Sequence, residues 1–315
     1  MILCAILVFP PLAGCGDSAS SDEAAENKQT AGLRIVTLAP ALSQMLVDLG
    51  LSDAIVGVAE HENAAPPGLP VVGNYIDVNT ELLLSTRPTH VLMMVGPGGA
   101  PARLRNLAAD GLFELHTFPF PLSVQDIGRV LYDEAPAPGA APSLGEVLGM
   151  PEQAFALKMR MLRQLAGIRA LTEPRDKPSV LLVLGTEPLV MASGPGTVHD
   201  ELLGFAGALN AAAGATVTAP EYDRESLLAL APQVVLLLEP DAPPITEEDP
   251  RLSAFAGLPI PAIESGRVYV INHPLVLLPS SSVARICAEM AKAIHPELED
   301  EIGTLMAEQG QAGHD

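Results

Sequence analysis

Glu81-Leu-Leu-Leu-Ser-Thr-Arg-Pro88-Thr-His-Val-Leu-Met-Met94 aligns without a gap on Glu225-Ser-Leu-Leu-Ala-Leu-Ala-Pro232-Gln-Val-Val-Leu-Leu-Leu238, and six of the fourteen positions are identical. Each copy reads as a short helix stopped by proline and followed by a strand. Proline lacks the donor a continuing helix needs and disfavours helix in the residue before it. The apolar run behind each proline has the length and composition of a strand buried on both faces, as in a parallel sheet. A unit that recurs once, at half-chain spacing, points to two similar lobes rather than a solenoid.

Working outward from the repeats gives the rest of the α/β order. Arg34 to Leu38 reads as a strand, Ala41 to Leu49 as a helix stopped by Gly50, Ile55 to Val58 as a strand and Val71-Val72 as a short one. Ala100 to Asp110 reads as a helix and Glu114 to Phe118 as a strand. Asp133 to Ser143, rich in Ala, Pro and Gly, reads as a surface insertion. Pro151 to Leu171 is the longest helical pattern, with Phe155, Met159, Leu162 and Ile168 near helical spacing. In the second half Ser179 to Leu184 and Arg267 to Ile271 read as strands, Thr197 to Leu209 and Ser280 to Ile294 as helices. The expected architecture is α/β: two Rossmann-like lobes with parallel sheets, joined by a single long helix, with a ligand cleft between the lobes. The corresponding division is 33–150 for the first lobe, 151–172 for the connector, 173–296 for the second lobe and 297–315 for a polar tail that frays.

Composition narrows the function classes. Of 315 residues 48% are hydrophobic, but aromatics are only 3% and Trp is absent, so the cores must be aliphatic. The net charge of −21, from 17 basic and 38 acidic residues, excludes a nucleic-acid partner, which needs a basic face.

The N-terminal stretch reads as an address. Residues 1–14 are apolar and uncharged, too short to span a bilayer, and run into Leu12-Ala13-Gly14-Cys15. That ending resembles the bacterial lipobox, in which signal peptidase cuts before the cysteine and the cysteine takes the lipid. The missing Lys or Arg at the start departs from the usual pattern. Residues 15–32 read as a disordered tether. With Cys4 removed and Cys15 acylated, Cys287 stands alone, so neither an intrachain disulfide nor a Cys-based metal site is expected.

Seven segments in order now carry a family resemblance: Arg34-Ile-Val-Thr-Leu-Ala-Pro40, Val71-Val-Gly73 with Asn79-Thr-Glu81, Arg87-Pro88-Thr-His-Val91, Gly196-Thr-Val-His-Asp-Glu-Leu-Leu203, Ala206-Gly207-Ala-Leu-Asn210, Glu225-Ser-Leu-Leu228 and Gly266-Arg-Val-Tyr-Val270. From Leu33 to Pro296 the chain resembles the helical-backbone class of ABC-transporter substrate-binding proteins, which carry cobalamin, iron-siderophores or heme, and within it the cobalamin binders most. The resemblance implies a lipid-anchored, monomeric protein of the cell envelope. It would deliver a metal chelate to an ABC permease and its ATPase, and the connector helix is expected to limit hinge motion. It also implies that one exposed Glu on each lobe, here Glu81 and Glu225, docks on the permease. A second account of these glutamates needs no partner. Each lies two residues after a capping type, Asn79 or Asp223, where a carboxylate gains about 0.3–1 kcal/mol from the helix dipole.

The ligand-site candidates come from the loops beyond the carboxyl ends of the strands, where open parallel sheets bind ligands. They are Pro40, His61, Tyr75, Gly98, Thr186, Tyr222 and His273. Tyr75 stands where the family's cobalamin binder carries a Trp against its ligand. It either stacks on the ligand or caps its own loop. His273 and His61 are either hydrogen-bonded structural residues or axial ligands to a corrinoid cobalt or heme iron. Two departures touch the ligand: the family's Pro-Gly-Pro-Arg before the last helix is Pro279-Ser-Ser-Ser282 here, with Arg285 displaced, and no Trp is present. No catalytic motif, resident cofactor or metal-ligand set stands out, so an enzyme is not expected. A Ser cluster such as Ser280-Ser281-Ser282 before a helix is ordinarily a cap. A lipoprotein of this fold that senses or scaffolds is the remaining class.

Overall fold

The computed structural model describes residues 32–246 and 249–311. Residues 1–31, and with them Cys15 and nearly all of the expected leader and tether, lie outside the described residues.

The two repeat copies fold alike. Helix α2 (Thr80–Ser85) is capped by the Asn79 side chain, which accepts from Leu82 N at 3.0 Å. Helix α8 (Arg224–Leu230) is capped in the same way by Asp223, which accepts from Ser226 N at 2.8 Å. Both stop at a left-handed residue directly before the proline, Arg87 (φ 50°) and Ala231 (φ 43°). That conformation leaves the helix at once, and the proline cannot rejoin it. The strands that follow, β3 (His90–Val95) and β9 (Val234–Leu238), lie inside their sheets and are buried on both faces.

The first sheet matches the expectation. Strands β1 (Ile35–Thr37), β2 (Ile55–Gly57), β3 and β4 (Glu114–Pro119) are all parallel, in the order β2-β1-β3-β4. Val71-Val72 is not a strand but touches Val58 through one isolated bridge. The second sheet corrects the expectation of a wholly parallel sheet. Strands β5 (Ser179–Gly185), β9 and β10 (Val268–Ile271) are parallel, and short β7 (Leu209–Asn210) joins β5 in parallel. Strands β6 (Val190–Ala192) and β8 (Glu221–Tyr222) are antiparallel additions. Strand β5 returns on itself through a short loop, which only antiparallel pairing permits. Runs of two or three residues leave no periodicity to read.

Helix α1 (Pro40–Asp48) begins on a first-turn proline and ends before Gly50 (φ 77°). Helix α6 (Pro151–Thr172) spans roughly 33 Å. Its buried stripe is Ala154, Leu157, Met161, Leu165, Ile168 and Thr172, whereas Phe155, Met159 and Leu162 are not buried. Phe155 is 40% exposed and meets the Tyr132 ring edge-on. Of the expected stripe only Ile168 is buried, with Leu162 packed against the edge of the core.

The reason is a second correction. The polar tail forms helix α11 (Glu299–Gln311), which lies along α6. Ile302 is fully buried and Leu305 and Met306 pack against the core, a helical face hidden among acids. Gly167 makes room for it, since a Cβ there would sit 2.7 Å from Leu305 Cδ1.

The Ser cluster is the third correction. Helix α10 (Val283–Ile294) has Ser282 at its cap position without a side-chain cap bond. Ser281 instead donates to Asp48 Oδ2 at 2.6 Å, joining the end of α1 to the start of α10. One apolar core runs from Ile35 and Leu42 in the first lobe through α6 to Val234, Cys287 and Ile302, so the lobes share more than a rod. Two smaller clusters cover the other face of each sheet.

Candidate functional site

The strand order of the first sheet reverses direction between β1 and β3, the position where α/β sheets open a crevice. Pro40 opens α1 at that point and is partly buried. The loops at this end reach across to the second lobe. Asn63 Nδ2 donates to Pro274 O at 2.6 Å, which joins the loop after β2 to the loop after β10. His61 and His273 stand on these two loops. Farther back, Arg285 stands 3.6 Å from Asp48 beside the Ser281 bond. Glu201 of helix α7 (Val198–Phe205) accepts from Val124 N at 2.7 Å, where helix α4 (Val124–Leu131) of the other lobe begins.

Tyr75 sits at the tip of a tight loop. Gly73 bridges Val78, Asn74 N donates to Asp77 O at 2.9 Å, and Asn74 Oδ1 accepts from Ile76 N and Asp77 N at 2.9 Å each. Glu60 anchors the loop from behind: its N–H donates to Gly73 O and its carboxylate accepts from Asn74 Nδ2. The tip leaves Tyr75 50% and Ile76 72% exposed, against Phe120 at 45% and Leu122 at 69%. The Tyr75 and Phe120 rings meet edge-on with centroids 6.0 Å apart. On the second lobe Leu189 and Leu277 are exposed on the loops after β5 and β10. Phe120, Leu122 and Leu277 escaped the sequence reading. Their signal is large apolar residues placed in proline-marked loops directly after strands.

Thr186 and Tyr222 line one concavity of about 850 Å³ in the second lobe, with Leu189, Asp223, Arg224 and Ser253. Burial raises the Tyr222 phenol above its ordinary pKa, so it remains a neutral donor. Pro40, His61, Tyr75, Gly98 and His273 do not border that concavity. Gly98 lies in an exposed turn closed by Gly99 N and Gly96 O. His61 is exposed and held at φ 58°, a left-handed conformation that side chains enter at a cost.

His273 Nδ1 accepts from Leu275 N at 3.1 Å. The neutral ring then carries its proton on Nε2 and offers a donor rather than a metal-binding lone pair. Burial, and then the Arg285 charge, push its pKa down and keep it neutral. His199 Nε2 donates to Val276 O at 2.7 Å, fixing the same loop to α7, and burial lowers its pKa as well. At the end of β9, Arg251 is clamped by Asp249 and by Glu239 at 2.9 Å, and its guanidinium holds Asp249 down at about 2.

Glu81 and Glu225 are exposed in the first turns of α2 and α8, and neither forms an ion pair among the described residues. Cys287 is fully buried with its thiol pKa raised by that burial, and its Sγ lies 3.5 Å from Leu202 O. Among the described residues no helix is long and apolar enough to cross a membrane.

The vitamin B12-binding protein of Photorhabdus laumondii is 28% identical over 212 residues, 66% of this chain and 71% of that one. A periplasmic heme-binding protein of Pseudomonas aeruginosa superposes with a TM-score of 0.66 at 26% identity, covering 84% of this chain and 92% of that one. The periplasmic vitamin B12-binding protein of Vibrio cholerae shares the fold, with a TM-score of 0.58 at 19% identity over 83% of this chain and 96% of its own. Residues 35–275 match the family described as periplasmic binding protein, and the chain belongs to that family.

Proposed function

We propose that this protein is the extracytoplasmic binding component of an ABC importer, and that it takes a cobalamin-type corrinoid between its lobes. The observation that carries this is the exposed apolar group on loops of the first lobe: Tyr75 and Phe120 in edge-on contact, with Ile76 and Leu122 beside them in sequence. Solvent-exposed apolar side chains held together in this way suit a large, flat, largely apolar ligand. The vitamin B12-binding relatives point to the same chemistry. Tyr75 and Phe120 cover the macrocycle and the Nε2–H of His273 supplies a hydrogen bond at its edge, while Thr186 and Tyr222, in the separate second-lobe concavity, take the ligand's outlying polar groups. No catalysis is proposed.

Glu81 and Glu225 are the docking points for the permease. Each is exposed, begins a helix and follows the same cap, so the two repeats present the same acidic tip. Lipid on Cys15 holds the monomeric protein at the outer side of the membrane; a lipobox cysteine with two or more chains anchors stably where one does not.

A heme reading stands second, favoured by the 26% identical heme-binding structure. Absorption spectra of the protein mixed in turn with cyanocobalamin, hemin and a ferric siderophore separate the chelates. A tight corrinoid spectrum is expected. Hemin binding alone installs the second reading, and failure of all three at micromolar protein refutes chelate transport and leaves a sensing or scaffolding lipoprotein. Glu81→Arg with Glu225→Arg is expected to abolish uptake and leave chelate affinity unchanged.

A further inference from the structure

A cluster that transport does not use lies at the other end of the first sheet. His90 opens β3, Glu114 opens β4 in register with it, and His116 follows on the same face of β4. The two imidazoles are stacked, 5.5 Å between centroids and 17° between planes. Glu114 Oε2 stands 3.8 Å from His90 Nε2 and 3.3 Å from His116 Nε2. One ligand atom from each residue falls within 4.8 Å of the other two.

Two details show that the cluster is incomplete as it stands. His116 Nε2 is shut off from solvent and meets no partner in hydrogen-bond geometry, although Glu114 Oε2 lies 3.3 Å away. On the far side Thr89 Oγ1 donates to Arg34 O and lies 2.9 Å from His90 Nδ1. In the tautomer whose Nδ1–H donates to Thr89 Oγ1, His90 Nε2 keeps its lone pair facing Glu114. This is the outer hydrogen bond that orients a metal-binding histidine. Ring lone pairs and a carboxylate facing one another repel unless a cation lies among them.

We propose that His90, Glu114 and His116 bind one divalent transition-metal ion of the zinc type. Imidazole and carboxylate suit such ions. Ligands at about 2.0–2.1 Å from a tetrahedral zinc stand roughly 3.3–3.4 Å apart, so the observed spacings close with small side-chain shifts. Glu114 is 71% exposed and free to make that shift. The ion ties edge strand β4 to β3. It is separate from any cargo: β3 puts roughly 16 Å between its first residue and the cleft end. The proposal holds whichever ligand the cleft takes.

The test is Co²⁺ titration of the tag-free chain with Zn²⁺ competition, read by the visible absorption of tetrahedral cobalt and by Tm. One ion per chain is expected, displaced by zinc, with a zinc-dependent rise in Tm. His116→Ala and His90→Gln should each weaken binding about 100-fold, and Glu114→Gln about tenfold, while far-ultraviolet dichroism stays unchanged. Should His116→Ala fail to fold, His90→Gln carries the test alone. No cobalt absorption, or absorption that survives His90→Gln in folded protein, overturns the assignment.

Discussion

Gly73 controls the loop that presents Tyr75, and its replacement by alanine has a calculable effect. Gly73 holds φ 111°, where a side chain costs on the order of 1–3 kcal/mol. The new Cβ would also fall 2.2 Å from Asp77 O, a separation real Cβ atoms do not show. The carbonyl must retreat by close to an ångström, which breaks the 2.9 Å bond from Asn74 N, worth about 1 kcal/mol. Together that is about 2–4 kcal/mol, more than a four-residue surface tip can absorb, so the tip opens while the lobes remain folded. Rebuilding it on binding raises the Kd for the chelate at least about 30-fold. Gly68 is the control. Its φ is 85°, but nothing lies within 4 Å of a Cβ there, so Gly68→Ala bears only the conformational cost and leaves affinity alone. The assays are titration by difference absorption and limited proteolysis of the 73–78 loop. Wild-type affinity in Gly73→Ala, with that loop still protected, would refute both the strain argument and the role given to Tyr75.

Three further outcomes follow from the same geometry. Asp48→Ala strands the buried Ser281 hydroxyl and removes a charge-assisted bond between the lobes; a loss of about 2 kcal/mol, or roughly 4–8 °C in Tm, is expected by calorimetry. Lowered imidazole pKa values at His199 and His273 give stability that is complete above the unfolded value of 6.5 and is lost as pH falls through the folded values. Tm should thus be level at mildly alkaline pH and decline on acidification below 6.5, and His199→Gln should flatten the decline while lowering Tm at neutral pH. Phe120→Ala, at a side chain that is 45% exposed, should leave Tm nearly unchanged and weaken chelate binding about threefold to tenfold, the worth of one aromatic contact.

The parts of the fold that could be read in advance are those written locally. The proline stops at Pro88 and Pro232, the caps at Asn79 and Asp223 and the unbroken apolar runs after them are each decided within a few residues. The parts that could not be read depend on distant partners. Ile302, Leu305 and Met306 sit among glutamates, and only the groove at Gly167 shows that they form a face. Ser281 meets Asp48 across 233 positions, so a serine that looks like a cap is a tie between lobes. The candidate site divides in the same way. Of the residues expected on loops, Tyr75 is on an exposed loop and Thr186 borders a concavity, while Tyr222 lies within strand β8. Phe120 was invisible because only the fold brings its ring to Tyr75.

Under the proposed transport role, the unbroken apolar core from Ile35 to Ile302 has a consequence for traffic at the membrane. A carrier whose halves are welded in this way has little means of changing its outline when it loads. An empty copy then shows the importer nearly the same profile as a laden one and occupies the same berth. Surplus carrier would slow delivery rather than speed it, and the pump must sense freight by touching the freight itself.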